Sequence, residues 1–281
     1  MVMAQSLLRL LKDRNPDTAL DVLAPAWSLP IVARMPEVRR GIASETAHGE
    51  FGLATRRRIA AGLRGDYDRA IVMPRSFKAA LIPWLARIPR RTGFRGESRF
   101  FLVNDVRPFD PVVLDQTVKR FVALALDPGE ALPGELPLPS LRVRDDNRER
   151  VLSALGLSVD RPVVAMMPGA EYGPAKCWPL DYFADLAQRL QEAGYGVWVL
   201  GSDKDRPAGD AIAGASAALN LCGRTSLEDV IDLLAFCEQA VSNDSGLMHI
   251  AAAVGIHVHG IYGSSSPKFT PPLTKSRDIH E

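Results

Sequence analysis

The chain has 281 residues, 47% of them hydrophobic and 24% charged, with a net charge of +1, which fits two ordinary globular domains and excludes a disordered chain. Its longest apolar runs, 163–167 and 197–200, fall far short of the ~20 residues of a membrane-spanning helix, and the N-terminus lacks the basic segment and cleavage site of a secretion signal. Cys177, Cys222 and Cys237 are too few and too scattered for a disulfide framework or a zinc site, so ordinary thiols in a cytoplasmic, reducing compartment are expected.

From the N-terminus, apolar spacing predicts a helix over 1–12, a strand over 19–24, helices over 29–35 and 53–63, a strand over 70–73, and helices over 77–86 and 115–126. A doubly wound domain ordinarily opens with a buried strand and a ligand-facing loop, whereas the first element expected here is the helix that follows them. Met73-Pro74-Arg75-Ser76-Phe77-Lys78 reads as a strand-to-helix turn with Ser76 as N-cap. Lys78 in the first turn opposes the helix dipole and so needs an anionic partner or solvent. Arg56, Arg57, Arg58, Arg87, Arg90, Arg91, Arg95 and Arg99 are expected to complete a basic surface. Few aromatics interleave with them, which favours a phosphorylated or carboxylated glycolipid over nucleic acid. Residues 1–126 carry +9 and residues 127–281 carry −8, so the first half is expected to meet an anionic partner and the second to bind its ligand through a local site.

Pro128, Pro133, Pro137 and Pro139 mark 127–142 as a linker between an N-terminal domain, 1–126, and a C-terminal domain, 143–281. Beyond it the pattern alternates: strand 162–167, helix 180–193, strand 196–201, helix 207–217, strand 218–222, helix 227–237, strand 239–243, helix 246–254 and strand 258–262. Phe183, Leu186, Ala187 and Leu190, then Val230, Leu233, Leu234 and Cys237, follow the i, i+3, i+4, i+7 spacing of a helix face. Thr225-Ser226-Leu227-Glu228 carries a capping-box signature. Short apolar strands alternating with amphipathic helices predict a parallel, doubly wound α/β sheet whose ligands gather at the C-terminal strand edge.

Two motifs fall on that edge. In Ser242-Asn243-Asp244-Ser245-Gly246-Leu247-Met248-His249 a strand runs into a helix N-terminus, where unpaired N–H groups and the dipole favour a phosphate. Asp244 reads either as the N-cap of that helix or as an acceptor for sugar hydroxyls. Ser245 and Gly246 offer a hydroxyl and N–H groups, and His249 lies one turn on along the same face. The second motif, Pro168-Gly169-Ala170-Glu171-Tyr172-Gly173-Pro174-Ala175-Lys176-Cys177-Trp178-Pro179, permits close backbone approach at Gly169 and Gly173 and brings Lys176 to neutralise a diphosphate leaving group. Asp205, after Gly201-Ser202, reads as a ribose ligand or as a helix cap. Neither G-x-G-x-x-G nor G-x-x-x-x-G-K-[ST] occurs, which disfavours an NAD-dependent oxidoreductase and a P-loop enzyme, and no D-x-D or His/Cys cluster in the sequence argues for an essential metal.

Together the 168–179 and 243–249 motifs and Tyr262-Gly-Ser-Ser-Ser-Pro-Lys-Phe-Thr-Pro-Pro272 resemble the ADP-heptose:lipopolysaccharide heptosyltransferase II family. So do Ala24-Pro25-Ala26-Trp27, Met35-Pro36-Glu37-Val38, Ser76-Phe77-Lys78 and Gly93-Phe94-Arg95-Gly96-Glu97. The resemblance implies a GT-B fold of two Rossmann-like domains facing a cleft, truncated at both ends, with the first strand of the N-terminal domain missing. It implies an inverting transfer of heptose from ADP-L-glycero-D-manno-heptose to the heptosyl-Kdo2-lipid A inner core, with a catalytically inactive, nucleotide-sugar-binding fragment as the alternative. Donor contacts then fall to Gly169, Lys176, Asp205 at ribose, Thr225 and Leu227 at adenine, and Asp244, Ser245, Gly246 and His249 at pyrophosphate and heptose. Ser76, Lys78 and Arg95 face the acceptor. The family's base, an aspartate, is expected upstream of Met1. Cys177 departs from the basic residue common at its position. No cofactor beyond the donor, no metal and no nucleic acid are implied. The expected protein is a monomer meeting an anionic lipid A-core acceptor at the cytoplasmic face of the inner membrane.

Overall fold

A computed structural model describes residues 1–45, 51–171 and 173–281, which divide into two compact units. The first comprises Met1, 3–33 and 37–137, and the second Val2, 34–36 and 138–281. The division at Pro137 lies inside the Pro-rich 127–142 stretch.

The first unit holds α1 (Gln5–Arg14), β1 (Leu20–Pro25), α2 (Leu29–Ala33), β2 (Val38–Ser44), α3 (Leu53–Leu63), β3 (Arg69–Val72), α4 (Phe77–Leu85), β4 (Arg90–Phe94), β5 (Asp105–Arg107) and α5 (Thr117–Ala123). β1 pairs with β2, and β3, β4 and β5 form a second ladder, all parallel. Ala60 and Leu63 of α3 and Ile82 of α4 pack with Leu23, Ile42 and Ala70 from three of the strands. Apolar spacing did not reveal β2, β4 or β5, because arginines occupy strand positions where a hydrophobic pattern would show. Arg39 and Arg40 of β2 both donate to Asp21 of β1, whose side chain is only 2% exposed, and Arg90 of β4 donates to Asp105 of β5. Cross-strand ion pairs thus replace apolar alternation as the register signal.

The basic surface is smaller than expected. Arg56 and Arg99 are buried, with Arg56 donating to the carbonyls of Phe51 and Lys78 and Arg99 to those of Pro74, Ser76 and Phe94. Arg91 likewise donates to the Leu102 and Ile88 carbonyls. Five fixed donors let one guanidinium satisfy several loop carbonyls at once, so these side chains hold backbone rather than ligand.

The second unit holds α6 (Asp145–Leu155), β6 (Val163–Met167), α7 (Leu180–Glu192), β7 (Gly196–Val199), α8 (Arg206–Ala215), β8 (Leu219–Asn220), α9 (Leu227–Leu234), β9 (Cys237–Asn243), α10 (Gly246–Val254), β10 (His257–Ile261) and β11 (Arg277–His280). Its six strands are all parallel, in the order β11-β10-β9-β6-β7-β8. Every residue of β6 and β7 is buried, as a central parallel strand covered on both faces requires. Val164, Met166, Val197, Val199 and Val241 form one face of the core, packed on Phe183 and Ala187 of α7 and Ile212 of α8.

Three features differ from the sequence pattern. The helix expected over 227–237 ends at Leu234, and Cys237 opens β9 instead. The capping box sits one residue later than the signature suggested, with Ser226 and Asp229 bonding each other's backbone N–H. α6 and β11 carry little apolar pattern: Val151 is the one buried residue of α6, and all four residues of β11 are exposed.

Within this unit Arg34, 3% exposed, forms a two-pronged ion pair with the fully buried Asp232, at 2.7 and 2.6 Å. Asp232 also accepts from the Arg144 N–H and from Asn147. Among the described residues no helix is long and apolar enough to cross a membrane. Asp232→Ala leaves the guanidinium buried without its counter-charge, and the urea midpoint of the second unit should fall by the equivalent of about 3–5 kcal/mol.

Candidate functional site

The strand register makes the site. Met167 pairs with Ser242, Asn243 with Ile261, and the Leu200 N–H donates to the Met166 carbonyl, so β6, β7, β9 and β10 end at nearly one level. The chain leaves each of these strands into a motif loop at the C-terminal edge of the sheet. Asn243, fully buried, ties two of the loops together: its Nδ2 donates to the Pro168 carbonyl at 2.6 Å and its Oδ1 accepts from the Trp178 N–H at 3.0 Å. Gly173 has φ +107°, a conformation that excludes side chains, while Tyr172 beside it lies outside the described residues. The loop after β10 packs on the same segment, since the Ser264 N–H donates to the Ala175 carbonyl and a Cβ at Gly263 would sit 2.7 Å from that oxygen.

Lys176 closes a 3₁₀ turn and donates its ammonium to Asp244 Oδ2 at 2.7 Å. Asp244 is buried, and Thr270 Oγ1 from the loop after β10 lies 3.5 Å from its other oxygen. Asp244 is therefore not the cap of α10. Ser245 is, its Oγ accepting from the Met248 N–H at 3.4 Å from the extended backbone of an N-cap immediately before Gly246. The Gly246 and Leu247 N–H groups have no intrahelical acceptor, and the space where a Gly246 Cβ would stand is open. An ammonium and the positive end of a helix thus face one carboxylate, an arrangement a diphosphate can enter by displacing that carboxylate from the lysine.

His249 lies one turn inside α10. Burial pushes its pKa down to about 4, against a smaller opposing pull from Asp244, so the ring is neutral near pH 7. Its Nδ1 is buried with no hydrogen-bond partner among the described residues, as are Thr225 Oγ1 and Ser265 Oγ. All three follow C-terminal strand ends, after β9, β8 and β10 respectively. Unpaired buried polar atoms are costly and mark places where a ligand completes the hydrogen bonding.

Asp205 is wedged between two loops. A Cβ at Gly169 would overlap its carboxylate, and one at Gly201 would stand 2.7 Å from its Cβ. Its Oδ2 accepts from the Ser202 N–H and Oγ, both at 2.8 Å, so the helix-cap reading holds for that oxygen. Leu227, half-buried, opens α9 just after Thr225. Burial pushes the neighbouring Cys222 thiol up to about 12, and Cys237 is raised for the same reason, as inert structural thiols require.

In the first unit Ser76 caps α4, accepting from the Ala79 N–H at 3.4 Å, while Glu97 accepts from the Phe77 N–H at 2.9 Å. That helix N-terminus is thus supplied by the chain's own carboxylate. A cavity of about 780 Å³ lies beside it, lined by Arg75, Arg95, Gly96, Val106, Arg107, Pro108 and Phe109. Of the three residues expected to face an anionic acceptor, Arg95 lines this cavity and Ser76 and Lys78 do not. Arg75, which lies 4.8 Å over the Phe109 ring, was missed by sequence reasoning; its place immediately before the N-cap was the available signal. Gly96 is required there, because a Cβ would overlap the Arg75 carbonyl.

Solved structures place this architecture. The structure of E. coli ADP-heptose lps heptosyltransferase II superposes with a TM-score of 0.91 at 43% identity, covering 99% of this chain and 86% of that one. E. coli heptosyltransferase WaaC with ADP shares the fold at TM-score 0.74 and 20% identity, over 99% and 88% of the two chains. The class is that of the GT-B glycosyltransferases. Lipopolysaccharide heptosyltransferase 2 of Salmonella typhimurium and that of E. coli K12 are 46% and 44% identical, each over 99% of this chain and 84% of the relative. Residues 56–280 match glycosyltransferase family 9 (heptosyltransferase), and the chain belongs to that family.

Two outcomes follow from this geometry. Gly169→Ala must displace Asp205, and should lower the thermal midpoint and weaken nucleotide binding together, measured by scanning fluorimetry and calorimetry. Between pH 6.5 and about 4 the unfolded chain takes a proton that folded His249 refuses, so stability rises with pH across that window. The thermal midpoint should therefore fall on acidification, and His249→Gln should flatten that part of the profile.

Proposed function

We propose that this protein transfers heptose from ADP-heptose to a heptosyl-Kdo2-lipid A acceptor in building the lipopolysaccharide inner core, with inversion at the anomeric carbon. The observation that carries the donor assignment is the Lys176–Asp244 ion pair beside the Ser245-capped N-terminus of α10, with unpaired buried polar atoms of Thr225, His249 and Ser265 on the segments that follow β8, β9 and β10. The family and the two named heptosyltransferase 2 relatives supply the sugar and the acceptor class.

In this reading the diphosphate lies on the α10 N-terminus and takes the Lys176 ammonium from Asp244. As the bond from the anomeric carbon to the diphosphate oxygen lengthens, charge accumulates on that oxygen. Lys176 and the Gly246 and Leu247 N–H groups stabilise it more strongly than in the ground state, which lowers the barrier. Freed from the lysine, Asp244 accepts hydrogen bonds from heptose hydroxyls and lies near the oxocarbenium-like centre. Neutral His249 contributes a hydrogen bond and no charge. Asp205 Oδ1 takes a ribose hydroxyl, and Thr225 and Leu227 border the adenine. The positive charge for the leaving group comes from the lysine and helix end, so the donor site requires no metal and no further cofactor.

The acceptor hydroxyl attacks from the opposite face, and its proton passes to solvent water or to a base outside the donor site. Asp244 and Asp205 are unsuited to that role, the first turned to the donor and the second held in the Ser202 cap. Arg75 and Arg95 in the first-unit cavity bind acidic groups of the acceptor, and the enzyme works as a monomer at the cytoplasmic face of the inner membrane.

The primary test is ADP release from ADP-heptose with and without the heptosyl-Kdo2-lipid A acceptor. Release that depends on acceptor is expected; donor binding without release would assign the chain a binding role only. Lys176→Ala removes a charge-assisted hydrogen bond worth about 1.5–3 kcal/mol and should weaken ADP-heptose by about 10- to 100-fold in calorimetry. Arg75→Ala should raise the acceptor KM and leave donor affinity unchanged.

A further inference from the structure

Three of the chain's five histidines lie on the edge strand β11 and its neighbour β10, outside the donor site. His257 and His259, two apart on β10, present both imidazoles on one face of the sheet, and Asp278 and His280 do the same on β11. The parallel register sets Asp278 directly beside His259. Sequence spacing did not disclose this grouping, because eighteen residues separate the two pairs and only strand pairing joins them.

The distances have the shape of a coordination sphere. His257 Nε2 is 3.0 Å and His259 Nδ1 3.7 Å from Asp278 Oδ2, and ligand atoms of the three residues all lie within 4.8 Å of one another. A tetrahedral zinc with bonds of about 2.0–2.1 Å separates its ligand atoms by about 3.3–3.4 Å, midway between those two distances. His280 Nε2, 3.4 Å from His259 Nδ1, stands next to the triad.

The outer nitrogens are held as well. His257 Nδ1 lies 2.9 Å from Ser276 Oγ, and His259 Nε2 lies 2.9 Å from Gln239 Oε1 on β9. A carbonyl oxygen accepts only, so the neutral His259 ring carries its proton on Nε2 and turns the Nδ1 lone pair toward Asp278. Metal-binding histidines characteristically have this second partner on the far nitrogen, which sets both tautomer and ring orientation.

We propose that His257, His259 and Asp278 form a binding site for a divalent transition metal, zinc by the nitrogen-rich donor set, with His280 or water as fourth ligand. The metal fastens the exposed edge strand β11 to β10. It is distinct from the donor site, and none of its ligands has a role in transfer.

The test is titration of the full chain with Zn²⁺ by calorimetry and with Co²⁺ by visible absorption. A single saturable equivalent, with the intense d–d bands of a tetrahedral Co²⁺ centre and a higher thermal midpoint in Zn²⁺, is expected. His259→Ala should abolish the bands. Gln239→Ala, which leaves all ligands in place, should weaken Zn²⁺ by about 10- to 100-fold. ADP-heptose affinity should be unchanged in both. Should His259→Ala fail to fold, Asp278→Asn on the exposed strand reads the same loss. Absence of saturable binding, octahedral Co²⁺ spectra, or equal affinity in the ligand variants would overturn the proposal and assign any bound metal to adventitious surface contacts.

Discussion

The C-terminal edge of the second unit's sheet depends on the Asn243 side chain. With its amide buried between the Pro168 carbonyl and the Trp178 N–H, Asn243 closes the 168–179 loop onto the end of β9. Lys176 lies two residues before Trp178 and Asp244 follows Asn243, so the same two hydrogen bonds bring ammonium and carboxylate together. An apolar residue of similar shape would leave a carbonyl and an N–H unpaired in a buried place, each costing about 1–3 kcal/mol, and would release the loop that carries the lysine.

Around that clamp the electrostatics are finely divided. The second half of the chain carries −8, yet its strand edge offers a cation and a helix N-terminus. Lys176 and Asp244 neutralise each other, so the buried carboxylate carries no unpaired charge. His249 is held neutral by burial, so the α10 end keeps only its backbone polarity and the one lysine. Asp205 is held between Gly169 and Gly201, two positions that admit it only because neither has a side chain.

The first unit uses arginine in two ways. Arg56, Arg91 and Arg99 turn inward and bind loop carbonyls, while Arg75 and Arg95 line a cavity beside Phe109. Nothing in composition separates these groups, since all belong to one basic stretch of sequence. What separates them is whether unpaired carbonyls lie within reach of the folded guanidinium, a question that loop packing answers.

Local chemistry was enough to determine the strongly patterned parts: the buried strands β6, β7 and β9, the helices α7, α8 and α10, the Ser76 cap, and the strand-end motifs of Lys176 and Asp244. Hydrophobic period and helix-start residues act over a few neighbours and need no distant partner. Strands β2, β4, β5 and β11 were not legible, because arginine, aspartate and histidine hold their positions and their stability comes from pairing with another strand. Tertiary structure alone decided that Ser245, not Asp244, caps α10, that Asp244 meets Lys176 across 68 residues of sequence, and that His257 and His259 face Asp278. Each is a choice among several partners that one side chain could bond, and it is settled only when the sheet register sets which of them comes within about 3 Å.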